Sequence, residues 1–280
     1  MAMFDAFRYD GKHAVVVGGA TGMGAATARL VLDGGAQVTV MDRADVDLQG
    51  IKSIHVDLGD PSSIDAAVDQ CDGPVDALFS CAGVADGTPG IEKINFIGHR
   101  HMIERLRAKG MLARGSAIGF ISSAAGLAWQ TNLEALKEYL DTPDFSAAAR
   151  WVQEHEKADY MFSAYMWSKQ TICAYVAREA LSFLKEGIRI NAICPGPTDT
   201  PLAQANKETW LGFGADYRDE LGIEAASPLE QAYPLVFLCS DAASAITGIT
   251  LVADSGYISS GVTESYPSAT AIARFLLGLP

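Results

Sequence analysis

The chain has 280 residues and 49% hydrophobic content, enough for one large domain or two small ones with a sizeable core. Its formal net charge is −13 with no block of like charges, which argues against nucleic acid and against a polybasic membrane contact. The cysteines (Cys71, Cys81, Cys173, Cys194, Cys239) are odd in number and lack a Cys-x-x-Cys, so a reduced, cytoplasmic setting is expected, with most of them buried as small hydrophobes.

At the start, Met1–Asp10 lacks a basic region leading into an apolar one, so no targeting segment is expected, and no apolar run approaches a membrane span. Apolar runs then alternate with longer helical patterns, the rhythm of βαβ units and a parallel sheet. His13–Val17 reads as a short buried strand, Gly22–Asp33 as the helix after it, and Gln37–Met41 as the second strand. Ser53–Val56 is a third strand, followed by a helix over Ser62–Gln70. Ala77–Cys81 is the fourth, followed by a helix over Ile91–Lys109. Ala117–Ser122 is the fifth, Ala164–Lys185 a long helix, and Arg189–Cys194 the sixth strand. Pro228–Cys239 is helical and Thr250–Ala253 is the seventh strand. The apolar tail Ala269–Leu279 reads as a helix that docks on its own domain or on a partner subunit.

Two segments break this rhythm. Leu127–Tyr160 inserts two amphipathic helices, Asn132–Leu140 and Phe145–His155, each opened by a capping residue, Asn132 and Asp144. Thr198–Ala226 is a long connection bearing aromatics, and a connection of that length in a compact domain is usually functional or mobile. With no repeat, low-complexity tract or linker, one α/β domain over 1–280 is expected, with helices on both faces of a seven-stranded parallel sheet.

Val17-Gly18-Gly19-Ala20-Thr21-Gly22-Met23-Gly24 joins the first strand to its helix. Gly18, Gly22 and Gly24 allow a tight turn, close approach to a pyrophosphate and close helix packing, with the helix N-terminus facing the phosphate charge. Alone, the pattern also describes an ordinary glycine-rich turn. Its position after a first strand, and Asp42 at the end of the second, turn it toward a dinucleotide. A carboxylate there hydrogen-bonds the adenosine ribose hydroxyls and repels a 2′-phosphate, so NAD is favoured over NADP. Arg43 tempers this, since a guanidinium just past the strand can meet a phosphate or stack on adenine.

Tyr165 and Lys169, four apart on the long helix, share one face. An ammonium beside a phenol favours the phenolate, so Tyr165 is expected to exchange a proton near neutral pH. The histidines include no His-Glu-x-x-His, and His99 and His101 point to different sides of a helix, so no metal is expected.

Taken together, these motifs resemble a short-chain dehydrogenase/reductase of the compact kind, from about Lys12 to Tyr257. The resemblance implies a doubly wound Rossmann fold and residue roles beyond those read above. Thr21 and Met23 join the glycine turn, and Asp57-Leu58 would meet the adenine. Ser80-Cys81-Ala82-Gly83 stands where the family has Asn-Asn-Ala-Gly, and Val17 stands where it has Thr. Cys81, Ala82 and Gly83 would therefore line the cofactor. Asn95 matches an asparagine that helps hold a proton-relay water, and Ser123 matches the serine that orients the carbonyl. Tyr165 and Lys169 match the acid/base and its partner. Pro195-Gly196, with Thr198 and Thr200, matches the loop that holds the nicotinamide carboxamide.

The spacing from Ser123 to Tyr165 exceeds that of most relatives. The insert resembles those of bacterial 3α-hydroxysteroid dehydrogenase/carbonyl reductases and of coniferyl-alcohol dehydrogenases. Its helices either wall the substrate entrance or cover a surface used for subunit contact. The family commonly forms tetramers through the helices bearing Asn95 and Tyr165, so a homodimer or homotetramer is expected, the insert favouring the dimer. Trp129, Trp167 and Trp210 are candidates for a pocket or for core. Trp210-Leu211-Gly212-Phe213-Gly214 suits either a hinged lid or a loop packing its own side chains. The implied activity is NAD-dependent interconversion of an apolar secondary alcohol and a ketone of steroid, terpenoid or aromatic type. The rivals are a primary aromatic, coniferyl-type alcohol dehydrogenase and a non-catalytic NAD(H)-sensing module.

Overall fold

Each of the seven apolar runs is a strand, and together they form one parallel sheet. The computed structural model describes residues 4–161 and 163–280; Met1 to Met3, part of the start read for a leader, lie outside the described residues. The strands are β1 (His13–Val17), β2 (Gln37–Asp42), β3 (Lys52–His55), β4 (Ala77–Ser80), β5 (Ala117–Ile121), β6 (Arg189–Pro195) and β7 (Thr250–Ala253). Their order is β3-β2-β1-β4-β5-β6-β7, every pair parallel. Every residue of β1, β4, β5 and β6 is buried, because helices cover both faces of the sheet.

Alternate residues of a strand point to opposite faces. Ala14 and Val16 meet α1 (Gly22–Asp33) and α10 (Pro228–Cys239) on one side. Val15 and Val17 meet α2 (Pro61–Asp69), α3 (Gly98–Ala108) and α6 (Ala164–Glu186) on the other. A Cβ at Gly119 of β5 would stand 2.8 Å from Cys239 Sγ, so α10 lies directly on that strand. The sheet order runs outward in both directions from β1 and β4, which opens a crevice at their carboxyl ends.

The chain enters the insert within a 3₁₀ stretch over Ala124–Asn132 that runs straight into α4 (Leu133–Leu140), then α5 (Phe145–His155). Asp144 caps α5 as expected, accepting from Ala147 N at 2.8 Å. Asn132 does not cap α4: the residues before it are already helical, and its Nδ2 donates instead to Gln170 Oε1 at 2.8 Å. Both helices pack on the outside of α3 and α6. Trp151 stacks on Trp167 with centroids 5.7 Å apart, Tyr139 contacts Phe96 and Trp167, and Arg178 pairs with Asp141. Trp167, a pocket candidate in the sequence, is 2% exposed and belongs to this core.

The long connection after β6 folds into α7 (Pro201–Ala205), α8 (Lys207–Trp210) and α9 (Ala215–Leu221), and the tail into α11 (Tyr257–Val262) and α12 (Thr270–Leu277). Ala273 and Leu276 of α12 join Leu127, Cys173, Tyr217 and Tyr257 in a third apolar cluster, so the tail docks on its own domain. Among the described residues, no helix is long and apolar enough to cross a membrane.

Candidate active site

After Val17 the chain must turn back within a few residues to enter α1. Gly18 does this at φ +83°, and a Cβ there would stand 2.4 Å from the backbone of Ala82. At Gly24 a Cβ would fall 1.9 Å from Gly18 O, so helix and turn touch through backbone alone. Gly22 has φ +58° and faces Thr200. Gly19, passed over in the sequence, is also confined, though by side chains: its Cβ would meet Val40 Cγ1 at 2.6 Å. Thr21 is the N-cap residue of α1 but its side chain accepts no capping bond, which leaves the helix N-terminus facing the crevice for an anion.

Along this turn runs a cleft of about 230 Å³, lined by Gly18, Thr21, Gly22, Met23, Gly24, Asp42, Arg43, Asp57, Leu58, Cys81, Ala82 and Gly83 and roofed by Thr200, Pro201 and Leu202. One Asp42 oxygen accepts from Ala20 N and the other from Ala44 N, each at 2.9 Å, which fixes the carboxylate at the rim and leaves lone pairs for hydroxyl donors. Arg43 is exposed beside it. Bare glycine backbone, an uncapped helix start and a fixed carboxylate fit a dinucleotide laid with its pyrophosphate on the turn.

Pro195, Gly196 and Thr198 do not line this cleft. Gly196 packs on Asp254, and Thr198 Oγ1 donates to Gly196 O at 3.0 Å. Thr200 Oγ1 accepts from Ala203 N at 3.1 Å as the cap of α7, so both threonine hydroxyls have local partners.

Just beyond the cleft, Ser123 stands close enough to the Tyr165 phenol to ease its ionisation, and Lys169 Nζ lies 5.5 Å from the centroid of the same ring. The shared helical face is therefore real. The expected easy phenolate is not: the Tyr165 phenol is pushed up to about 12, first by burial, with Ser123 opposing and Asp86 and Cys194 adding to the rise. Burial also pushes the Lys169 ammonium down to about 8, against the nearby thiols of Cys173, Cys194 and Cys81. Burial thus outweighs the attraction that the helical spacing alone suggested. Lys169 Nζ donates to Ile121 O at 3.0 Å, and Ser122 Oγ donates to Lys169 O at 2.8 Å, tying α6 to the end of β5.

Asn95 sits in a π turn (Lys93–Ile97) that leads into α3. Its Oδ1 accepts from Val84 N at 2.8 Å, while Nδ2 donates to Val84 O and Ser168 Oγ, each at 3.1 Å. The side chain clamps the loop after β4. A Cβ on Gly83 would lie 3.5 Å from both Asn95 Oδ1 and Lys169 Nζ, so these two groups face each other across that glycine. Buried His99 is pushed down to about 4 by burial, and its Nε2 bonds Ala82 O at 3.0 Å; as a carbonyl only accepts, this nitrogen carries the proton. His101 turns the other way, to Asp65.

The aromatic connection closes over this centre. The Trp210 ring lies 5.0 Å from the Tyr165 ring, and Phe213 meets Tyr257 at 5.2 Å. Gly214 has φ +63° and abuts the Tyr257 ring; Arg218 donates to the carbonyls of Phe213 and Leu211. The loop therefore packs its own side chains and also reaches the tyrosine.

Known proteins share this arrangement over most of their length. Residues 12–135 match a family model described as short chain dehydrogenase, and residues 151–258 one described as enoyl-(acyl carrier protein) reductase. The 3-alpha-hydroxysteroid dehydrogenase/carbonyl reductase of Comamonas testosteroni is 30% identical over 249 residues, 86% of this chain and 95% of its own. The chain belongs to the short-chain dehydrogenase/reductase family. A coniferyl-alcohol dehydrogenase of a Pseudomonas species is 28% identical over 256 residues, covering 90% of this chain and 98% of its own. The crystal structure of a Pseudomonas 3-alpha-hydroxysteroid dehydrogenase complexed with NADH superposes with a TM-score of 0.72 at 26% identity, over 91% of this chain and 99% of that one. As a short-chain dehydrogenase/reductase the protein is an oxidoreductase acting on alcohols, of a family that uses NAD(P).

Three contacts of this family member were not legible in the sequence. Asp86 bonds the first turn of α6, Ser122 holds Lys169 O, and Trp210 lies against Tyr165. Only Trp210 carried a signal, as an aromatic in a long glycine-flanked connection.

Proposed function

We propose that the protein is an NAD-dependent dehydrogenase that interconverts an apolar secondary alcohol and its ketone, of steroid, terpenoid or aromatic type. The observation that carries this reading is the Tyr165 phenol, with Ser123 beside it and Lys169 over its ring, next to the dinucleotide cleft and under the apolar cover of Trp210. In oxidation, Ser123 and Tyr165 hydrogen-bond the substrate oxygen, and Tyr165 takes its proton as the carbon gives up hydride; in reduction Tyr165 returns the proton. Bound nicotinamide supplies the hydride acceptor or donor, and in its oxidised form adds positive charge that favours the phenolate. Lys169 holds the ribose hydroxyls beside the tyrosine. Asn95, opposite it across Gly83, connects Lys169 to solvent through water.

Asp42 supports NAD over NADP, since its fixed carboxylate bonds ribose hydroxyls and repels a 2′-phosphate. Asp57 and Leu58, which line the cleft, would meet the adenine, and of the four residues expected at the carboxamide Thr200 lines the cleft and would hold it. The packing of α4 and α5 on α3 and α6 supports a homodimer over a tetramer built on those helices. The uncrosslinked cysteines are in keeping with a cytoplasmic location. Trp210 also favours a second reading, a primary aromatic alcohol of the coniferyl type, because a planar ring can stack there.

An absorbance screen of cyclic secondary alcohols, ketones and cinnamyl-type alcohols, run with NAD(H) and again with NADP(H), tests the substrate and cofactor assignments. The expected result is fastest turnover of a cyclic secondary alcohol with NAD. Faster cinnamyl turnover would select the second reading, and NADP preference would remove the role given to Asp42.

A further inference from the structure

We propose that Asp86, on the loop after β4, is a positioning residue that fixes the first turn of α6, and with it Tyr165, against the cofactor edge of the sheet. The inference rests on the reading of Tyr165 as acid/base.

The first amides of any α-helix need acceptors from outside it. In α6 two of them are met by a relay. Asp86 Oδ1 accepts from the Tyr165 backbone N–H at 2.8 Å. Asp86 Oδ2 accepts from the Ser163 hydroxyl at 2.7 Å, and that hydroxyl accepts from Met166 N at 3.1 Å. One carboxylate thus places both the tyrosine's own amide and the capping serine. A negative charge is favoured at a helix N-terminus, and bonds to an ionised acceptor are the stronger kind.

The loop that carries Asp86 is itself pinned. Asn95 bonds both backbone groups of Val84, and His99 bonds Ala82 O. A rigid path therefore leads from the cofactor-lining residues Ala82 and Gly83 through Asp86 to Tyr165. Asp86 and Tyr165 are 79 residues apart in sequence, so the tie exists only in the folded chain. Asp86 also acts on the phenol by charge, opposing its ionisation. The other groups facing that phenol are Lys169 from the same helix, Ser123 after β5 and Cys194 of β6.

Asp86→Asn keeps an acceptor for the Tyr165 amide and removes the charge; Asp86→Ala removes both. The test is the pH profile of kcat for oxidation of the fastest alcohol in the screen, with NADH affinity measured by fluorescence. Oxidation needs the phenolate, so loss of the Asp86 charge lowers the apparent pKa of the rising limb in both variants. The plateau falls about tenfold in Asp86→Ala, the scale of a lost bond to a charged group, and stays within about threefold in Asp86→Asn. NADH affinity is unchanged in both. The same pKa shift is read without turnover from tyrosinate absorbance of the NAD complex, with Tyr165→Phe as the blank. If Asp86→Ala does not fold, Asp86→Asn carries the test.

Wild-type plateaus and wild-type pKa values in the folded variants would overturn the proposal, whatever happens to Tm. So would NADH affinity that falls in step with the plateau, since the loop would then serve the cofactor and not the tyrosine. A Tyr165→Phe enzyme at wild-type rate would remove the acid/base reading and this inference with it. An inactive Tyr165→Phe beside unaltered Asp86 variants would remove this inference alone.

Discussion

At the β1–α1 turn, contact is made by what the residues lack: Gly18, Gly19 and Gly24 let backbone lie on backbone or on a strand side chain where any Cβ would collide. At Tyr165 and in the apolar cluster formed with the tail, contact is made by large side chains drawn from distant parts of the chain. Trp210 comes from the loop after β6, while Leu276 comes from the tail and packs with Leu127 of the insert. The first region tolerates almost no change but is written in eight consecutive residues. The second is assembled from pieces that any one change alters only in part.

The largest expected effect tests whether the two regions meet at Tyr165. Tyr165→Phe should lower turnover by ~10² to 10⁴ while NADH affinity, read by fluorescence, stays at the wild-type value. A parallel loss of affinity would show that the tyrosine belongs to the cofactor region instead. Gly24→Ala comes next. Its methyl cannot fit 1.9 Å from Gly18 O, and overpacking of about 1–3 kcal/mol on the turn should weaken NADH binding by about tenfold or more. Its far-side packing, followed by near-ultraviolet circular dichroism, should be unchanged.

Trp210→Ala should act in the opposite sense and more weakly. An aromatic pair adds about 0.5–1.5 kcal/mol beyond its burial, so KM for a bulky alcohol should rise about 2- to 10-fold, with kcat and NADH affinity little changed. If KM for bulky and small alcohols rose equally, Trp210 would be a structural cover and not a determinant of substrate size.

Much of this was legible in the sequence, for identifiable reasons. The buried strands announced themselves as apolar runs because both faces of a parallel sheet are covered. The helix Phe145–His155 was readable with its cap, since Asp144 bonds an amide three residues on. Asn132 failed as a cap because its role depends on the 3₁₀ stretch before it, which has no periodic signal. Tyr165 and Lys169 were correctly placed on one face, but spacing says nothing of burial, and burial sets both their pKa values. Trp167 looked like Trp210 in the sequence; only packing against Trp151 and Tyr139 made one core and left the other over the tyrosine.

By itself the sequence determined the doubly wound sheet, the glycine turn, and the order of Asp42, Asn95, Ser123, Tyr165 and Lys169 along it. These depend on periodicity, on backbone freedom and on short spacings, all of which are local. Tertiary structure alone decided that the insert helices cover α3 and α6, that the tail packs on Leu127, and that the aromatic loop brings Trp210 to Tyr165. It also brought Asp86 to the amide of Tyr165. Those contacts join segments tens of residues apart, and the free energy that selects them comes from burial shared among all the pieces, which no single segment encodes.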